Sequence, residues 1–399
     1  MDLHTGIPIW RADGATPVRY PKFAGDAKCE VVVIGGGITG ALVGLMLAQA
    51  GVETLLVDKD IPGEGSTLCS TGLLQYEVDT PLVDLIDVVG AEHAVHAYRR
   101  GLKAIEEIEG LVEQVGDDCG FSHRGSLYFA STENDLRPLE REYQCRKHYG
   151  FDVQWLSHEK LADISTIAAP AAIWSRGDAQ INPYRLTQQL LKKAQQAGLR
   201  IFGKTRVERV DEVDQGVTLT LNNALLRARA VVFATGYQAH QQLPTSPGDL
   251  QSTFAMASQP MTDLEGWPES CLIWETARPY FYARRMEDGR AIIGGEDTEY
   301  SDDHADEALL RHKADQLQKR FAELFPKLSF VPSHVWGGTF AETKDGLAYI
   351  GNLPKSTNIY AALGYGGNGI TFSAIASRLI VDLFLRRPNA DAPVFSFDR

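Results

Sequence analysis

An α/β fold with a β-rich unit inserted into it is predicted for this chain of 399 residues. Three observations carry the prediction. The apolar run Val31-Val32-Val33-Ile34 leads through a glycine cluster into a helical pattern that stops at Gly51. A second apolar run, Thr54-Leu55-Leu56-Val57, ends on Asp58 and completes a βαβ unit of about 30 residues. Strand, glycine turn and helix return later in the chain, and the stretches between them are rich in strands.

The elements follow in order. Unbroken apolarity at Val31 to Ile34 marks a strand covered on both faces. A helix is expected over 38–50, with Gly51 as its C-terminal cap. Residues 82–115 read as helical and 125–130 as a strand. A helix over 184–197 precedes a strand at 200–202, and RVERVDEV with VTLTL reads as a hairpin. The strand Ala230-Val231-Val232-Phe233 returns to a glycine turn at Ala234-Thr235-Gly236. From 253 to 335 the pattern is strand-rich, and the chain closes with a strand at 358–363, a glycine-rich turn and a helix over 371–385. This order groups 1–90, 165–236 and 332–399 into one discontinuous α/β domain. Residues 91–164 and 237–331 form the inserted substrate-binding domain.

Composition narrows the function classes. Hydrophobic residues at 44% and charged residues at 23% describe a globular protein able to build a core. A net charge of -13 argues against nucleic acid or an anionic membrane as partner, since both need a positive footprint. Cys29, Cys69, Cys119, Cys145 and Cys271 are odd in number and never spaced as CxxC. They fit neither a disulfide framework nor a zinc ribbon, so no metal is expected. A reducing, cytoplasmic setting is expected instead, since the N-terminus lacks a signal-peptide pattern. The apolar block from Val31 to Val57 is broken by glycines and by Glu53, so it does not read as a membrane span.

The glycine cluster has a mechanism. Gly35, Gly37 and Gly40 form GxGxxG between a strand and a helix, where the motif has physical meaning. The first glycine makes the tight turn, the second lets backbone approach a pyrophosphate, and the third lets helix and sheet pack closely. A pyrophosphate would face the helix N-terminus at Ile38 and Thr39. Asp58 ends the second strand, where a carboxylate accepts hydrogen bonds from a ribose and disfavours a 2′-phosphate. The domain is therefore Rossmann-like, and both NAD and FAD remain open at this point. Gly44 extends the motif to GxGxxGxxxG, a form common where the dinucleotide is FAD.

With these residues in place, the chain resembles the FAD-dependent D-amino acid oxidase-like superfamily, which includes glycine oxidase, sarcosine oxidase and gamma-glutamylputrescine oxidase. The resemblance runs from Trp10 to Arg386 in separate blocks. GEGSTLCSTGLL after Asp58 resembles the loop beside pyrophosphate and flavin; it brings in Lys59, Ser66, Thr67, Cys69, Thr71, Gly72 and Leu73. KTRVERV resembles the segment whose valine, here Val207, holds adenine through its backbone, and VVFATG supplies Thr235 and Gly236. WGGTFAETKDGLAYIG and YAALGYGGNGITFS resemble the two C-terminal flavin blocks, with Gly338, Gly367, Asn368, Gly369, Ile370 and Thr371. The resemblance implies FAD and a small amine or amino acid as substrate; the FAD is expected to be held non-covalently. It further implies hydride transfer from carbon to flavin, hydrolysis of the product imine, and dioxygen or an electron carrier as acceptor.

Three departures from the family pattern bear on the chemistry. The arginine that binds substrate carboxylate in glycine oxidase-like members matches Phe340 here; Arg278 or Arg284 could replace it, or each could serve a strand end. The lysine that promotes reaction with oxygen in sarcosine oxidase-like members matches Ile292. The histidine of covalent members, in GSTxH, matches Cys69, which leaves two readings: a thiolate attached to the flavin, or a small side chain packed against it. Expected substrate contacts are Tyr76, Tyr282, Glu296, Phe340 and Tyr365. An acidic or aromatic pocket would favour an amine, and an arginine pair would favour a 2-hydroxy acid or polyol. A flavin-binding module without turnover is the third alternative.

Overall fold

The computed structural model describes residues 4–12, 17–221, 224–241, 248–300 and 307–399. The fingerprint folds as read: strand Ala27–Ile34, helix Ile38–Gln49 and strand Thr54–Val57. These strands belong to a sheet ordered Tyr349–Asn352, Ile359–Leu363, Ala224–Phe233, Ala27–Ile34, Thr54–Val57, Arg200–Phe202. From Ile359–Leu363 to Arg200–Phe202 every neighbour is parallel. The hairpin is present, Val207–Val213 against Gly216–Leu221, and it joins the sheet through Ala224–Phe233.

Burial explains why the strands read as unbroken apolar runs. Val31, Val33, Leu56 and Val232 face the core that contains the fingerprint helix. Val32, Leu55, Val57 and Val231 alternate with them into a second core on the other face. The fingerprint helix is itself buried almost all round, as a helix without a polar face must be.

A second, antiparallel-rich sheet stands beside the first. Its order is His4–Gly6, Pro332–Glu342, Asp249–Ser258, Ala291–Glu299, Phe281–Arg285, Leu272–Glu275, Ser122–Phe129, Ala171–Gln180 and Leu73–Leu74, with Val153–Ser157 also on Ala171–Gln180. The strands Ala171–Gln180 and Pro332–Glu342 fall in segments grouped by sequence with the dinucleotide unit, yet they pair in this sheet. Two readings are corrected. The helical stretch over 82–115 is two helices, Leu82–Val89 and Ala91–Val115, separated by Gly90 at φ +83. The strand-rich stretch from 253 contains a long helix, Glu307–Leu324, which sets Leu310, Ala314, Leu317, Phe321 and Leu324 on the core of the second sheet. Those five apolar residues recur at helical spacing, a signal that the surrounding β pattern obscured. No helix among the described residues is long and apolar enough to cross a membrane.

Candidate active site

A cavity of about 390 Å³ opens where the parallel strands end, lined by Ile34, Asp58, Ala234 and Tyr365 at or just beyond four strand ends. This is the crevice in which doubly wound sheets hold ligands.

One end is built from main chain. Gly35 turns at φ +104, and a Cβ there would lie 2.3 Å from the Ala234 carbonyl oxygen. Gly37 precedes the fingerprint helix and offers no side-chain cap, and the Ile38 N–H donates to Thr67 Oγ1 at 2.9 Å. At Gly40 a Cβ would meet the Gly35 carbonyl oxygen at 1.8 Å, so this glycine sets helix–strand approach and does not line the cavity. Asp58 stands on the wall, where its carboxylate accepts the N–H of Gly36 at 2.6 Å and of Asp60 at 2.7 Å. Thr39, Lys59, Val207, Thr235 and Gly236 line the same end.

The middle of the cavity is lined by Ser66, Thr67, Cys69, Thr71, Leu73 and Gly338, and by Gly367, Asn368, Gly369 and Ile370 from the C-terminal turn. That turn is pinned at both ends. Gly367 N–H donates to Asp79 Oδ2 at 2.8 Å, and Asn368 Nδ2 donates to the carbonyls of Gln75 (3.0 Å) and Glu77 (2.8 Å). Asn368 then precedes the helix Gly369–Phe384, whose N-terminus opens on the cavity. Two residues expected here stand behind the wall. Gly72, at φ +75, gives its carbonyl to Ile181 N–H and Arg284, and Thr371 turns its hydroxyl to the Gln75 carbonyl. Burial pushes the Cys69 thiol up, so its thiolate is disfavoured.

The donor set fits an FAD molecule on an observation independent of any motif. Ser66 Oγ, Thr235 Oγ1 and Thr339 Oγ1 belong to cavity-lining residues and are buried without a hydrogen-bond partner, which is costly unless a ligand completes them. Two helix N-termini without a side-chain cap open on one cavity, the first with its Ile38 N–H taken by Thr67, and they suit its anionic and electron-rich parts.

The other end is built from side chains. Tyr282, Phe340 and Tyr365 line it, as do Thr253, Trp274, Tyr280, Glu77 and Asp79, which sequence reasoning did not single out. Tyr282 lies across the ladder from Gly294, where a Cβ would meet its hydroxyl at 2.3 Å. Gly294, the first of the glycine pair in RAIIGGED, therefore makes room for the Tyr282 ring. Two expected contacts lie elsewhere. Tyr76 is 1% exposed and stacks on Phe151 at 5.6 Å in the core below. Glu296 has φ +58, where the ladder slips opposite Thr253, and its carboxylate pairs with Lys313 at 3.1 Å on the covering helix. The next residue, Asp297, takes the other side and bonds Thr253 on the cavity wall. A bulge of this kind cannot be read from residue order.

The charges at this end are acidic. Burial raises the Asp297 carboxyl from 3.8 to about 7, with the neighbouring carboxylates Asp79 and Glu342 adding to the shift and Arg278 opposing it. Asp79 and Glu342 are also raised by burial. Among the described cavity-lining residues the only Lys and Arg are Lys59 and Arg206, both beside the main-chain end. Arg278 is exposed and lies over the Tyr280 ring at 5.1 Å, whereas Arg284 is buried on the carbonyls of Thr71, Gly72 and Ile181. Ile292 is fully buried among Trp10, Leu68 and Trp336.

Known proteins share both the sequence and the architecture. Glycine oxidase of Geobacillus kaustophilus (strain HTA426) is 28% identical over 386 residues, covering 93% of this chain and 97% of that protein. Gamma-glutamylputrescine oxidoreductase of Escherichia coli (strain K12) is 24% identical, covering 89% and 83%. The crystal structure of the Geobacillus kaustophilus glycine oxidase superposes with a TM-score of 0.77 at 25% identity, over 93% of this chain and 99% of that one. The family model for FAD dependent oxidoreductases matches residues 30–383, and the chain belongs to that family.

Proposed function

We propose that the chain oxidises the C–N bond of a small amine or amino acid at the side-chain end of the cavity, with FAD held non-covalently along the rest. The observation that carries this reading is the charge of that end: Asp79 lines it with Trp274, Tyr280, Tyr282, Phe340 and Tyr365, Asp297 stands behind it on Thr253, and the lining Lys and Arg among the described residues, Lys59 and Arg206, lie at the other end. A cationic amine gains from carboxylates and from aromatic faces. A 2-hydroxy acid would need the arginine pair that this wall lacks.

Bound FAD supplies the acceptor for two electrons, and the product imine hydrolyses in water. The chain does the rest. Its aromatic side chains shape the pocket and exclude water, and Asp79, fixed by Gly367 N–H, orients the ammonium. Asp297, a buried carboxyl bonded to Thr253 on the cavity wall, is the group assigned to take up the proton that leaves the substrate nitrogen. The disfavoured Cys69 thiolate supports a packed, unattached flavin. The match of Ile292 to the oxygen-promoting lysine leaves no lysine at that position, which favours an electron carrier over dioxygen as acceptor. Five free thiols favour a reducing, cytoplasmic setting.

The test is anaerobic mixing of the FAD-loaded protein with amines, amino acids and 2-hydroxy acids while flavin absorbance is followed. Bleaching by amines or amino acids, and none by hydroxy acids, is expected. Bleaching by hydroxy acids alone would move the protein to C–O oxidation, and silence toward every class would leave a flavin-binding module.

A further inference from the structure

A second cavity, of about 180 Å³, lies behind the flavin loop and is lined by Trp10, Gln180 and Arg284 among others. Arg284 is 2% exposed. Its Nη1 donates to the carbonyls of Thr71, Gly72 and Ile181 at 3.0, 2.7 and 2.8 Å, while Nε is buried without a partner. No carboxylate of the described residues pairs with this guanidinium. Asp288 contributes at a distance only, because Arg290 already holds it through Nε at 2.7 Å and its N–H at 3.1 Å. Gln180, 1% exposed, lines the same cavity and makes no side-chain hydrogen bond to the described residues, which leaves its Nε2 as a donor for a ligand there.

A guanidinium does not shed its proton under ordinary conditions, so the charge stays. A buried charge needs a counter-charge, and main-chain carbonyls on one nitrogen supply only part of one. Burial first, and the neighbouring Arg124 guanidinium second, depress the Arg284 pKa to about 9, with Asp288 opposing them.

We propose that this second cavity binds a small monovalent anion, a halide or a carboxylate, on the free edge of Arg284 and the amide of Gln180. A single charge suits the site because Asp288 and Glu287 stand on its outer rim. The bound anion buttresses the flavin loop. Arg284 carries the Thr71 and Gly72 carbonyls, Trp10 Nε1 donates to the Ser70 carbonyl at 2.7 Å, and Thr71 lines the main cavity. Anion binding therefore tightens FAD binding, independently of which substrate the enzyme oxidises.

Crystals of the FAD-loaded protein grown in sodium bromide test the site. An anomalous peak within about 3.5 Å of the Arg284 guanidinium, persisting as bromide is lowered toward millimolar, is expected. Water alone at that place would overturn the proposal. In solution, FAD is expected to bind the wild-type protein several-fold more tightly in chloride than in gluconate at equal ionic strength, and Arg284→Gln is expected to lose the difference. An equal difference in Arg284→Gln would also overturn it. Should that variant fail to fold, Gln180→Leu keeps the buried charge, and its bromide peak is expected to weaken; an undiminished peak removes Gln180 from the site.

Discussion

The two ends of the main cavity are made from different material. At the fingerprint end the working groups are N–H donors and close backbone approaches, held by Gly35, Gly37 and Gly40 and by the helix they start. At the far end the working groups are side chains from strands distant in sequence, with Thr253, Trp274, Tyr282 and Phe340 brought together by the second sheet. The first end tolerates almost no added atom. The second admits substitution of one polar or aromatic side chain by another, and it is the end to which the proposed function assigns substrate choice.

The largest effect is expected from Gly40→Val, because the new Cβ would stand 1.8 Å from the Gly35 carbonyl oxygen. Separating helix from strand costs about 1–3 kcal/mol or more, and the protein is expected to purify without flavin colour. A yellow, stable variant would break the account of the main-chain end. Next comes Asp79→Asn, which keeps an oxygen for Gly367 N–H but removes the charge. A lost charged contact of about 1.5–3 kcal/mol lowers kcat/KM for an amine about ten- to hundredfold, while the FAD dissociation constant stays nearly unchanged. Equal damage to both constants would blur the two ends into one.

A smaller effect follows from pH. Because the Asp297 carboxyl titrates at about 7, the carboxylate that receives the ammonium appears as pH rises, and KM for an amine is expected to fall through that range. Asp297→Asn should flatten the profile. The same shift, from 3.8 upward in the folded state, gives stability that is present at low pH and lost as pH rises through about 7. Thermal melts of wild-type and Asp297→Asn protein across that range check the sign. Smallest is Cys69→Ala, expected to change stability by about 1 kcal/mol and to release flavin on acid precipitation as the wild type does. Colour retained in the wild-type pellet and lost in the variant would make Cys69 the point of attachment.

The same contrast explains what could be read from residues alone. Gly35, Gly37, Asp58 and the strand–helix–strand order were legible because close backbone approach admits few residue types. Gly294 was visible as a glycine, but its reason, the ring of Tyr282 lying across the ladder, needed the register. Glu296 and Asp297 are adjacent acids in sequence, and only the slip opposite Thr253 decides which one turns toward the cavity. Tyr76 was expected as a substrate contact, whereas its flanking residues Gln75 and Glu77 line the cavity and its own ring fills the core.

The measurement that tests the central claim most directly is a crystal structure of the FAD-loaded protein with an amine product or analogue. The account predicts the pyrophosphate at the N-terminus of the helix Ile38–Gln49, the flavin ring between Cys69 and the turn at Gly367, and the amine nitrogen facing Asp79 on the side of Asp297. A flavin reversed in the cavity, or an amine bound away from those two carboxyls, would contradict it.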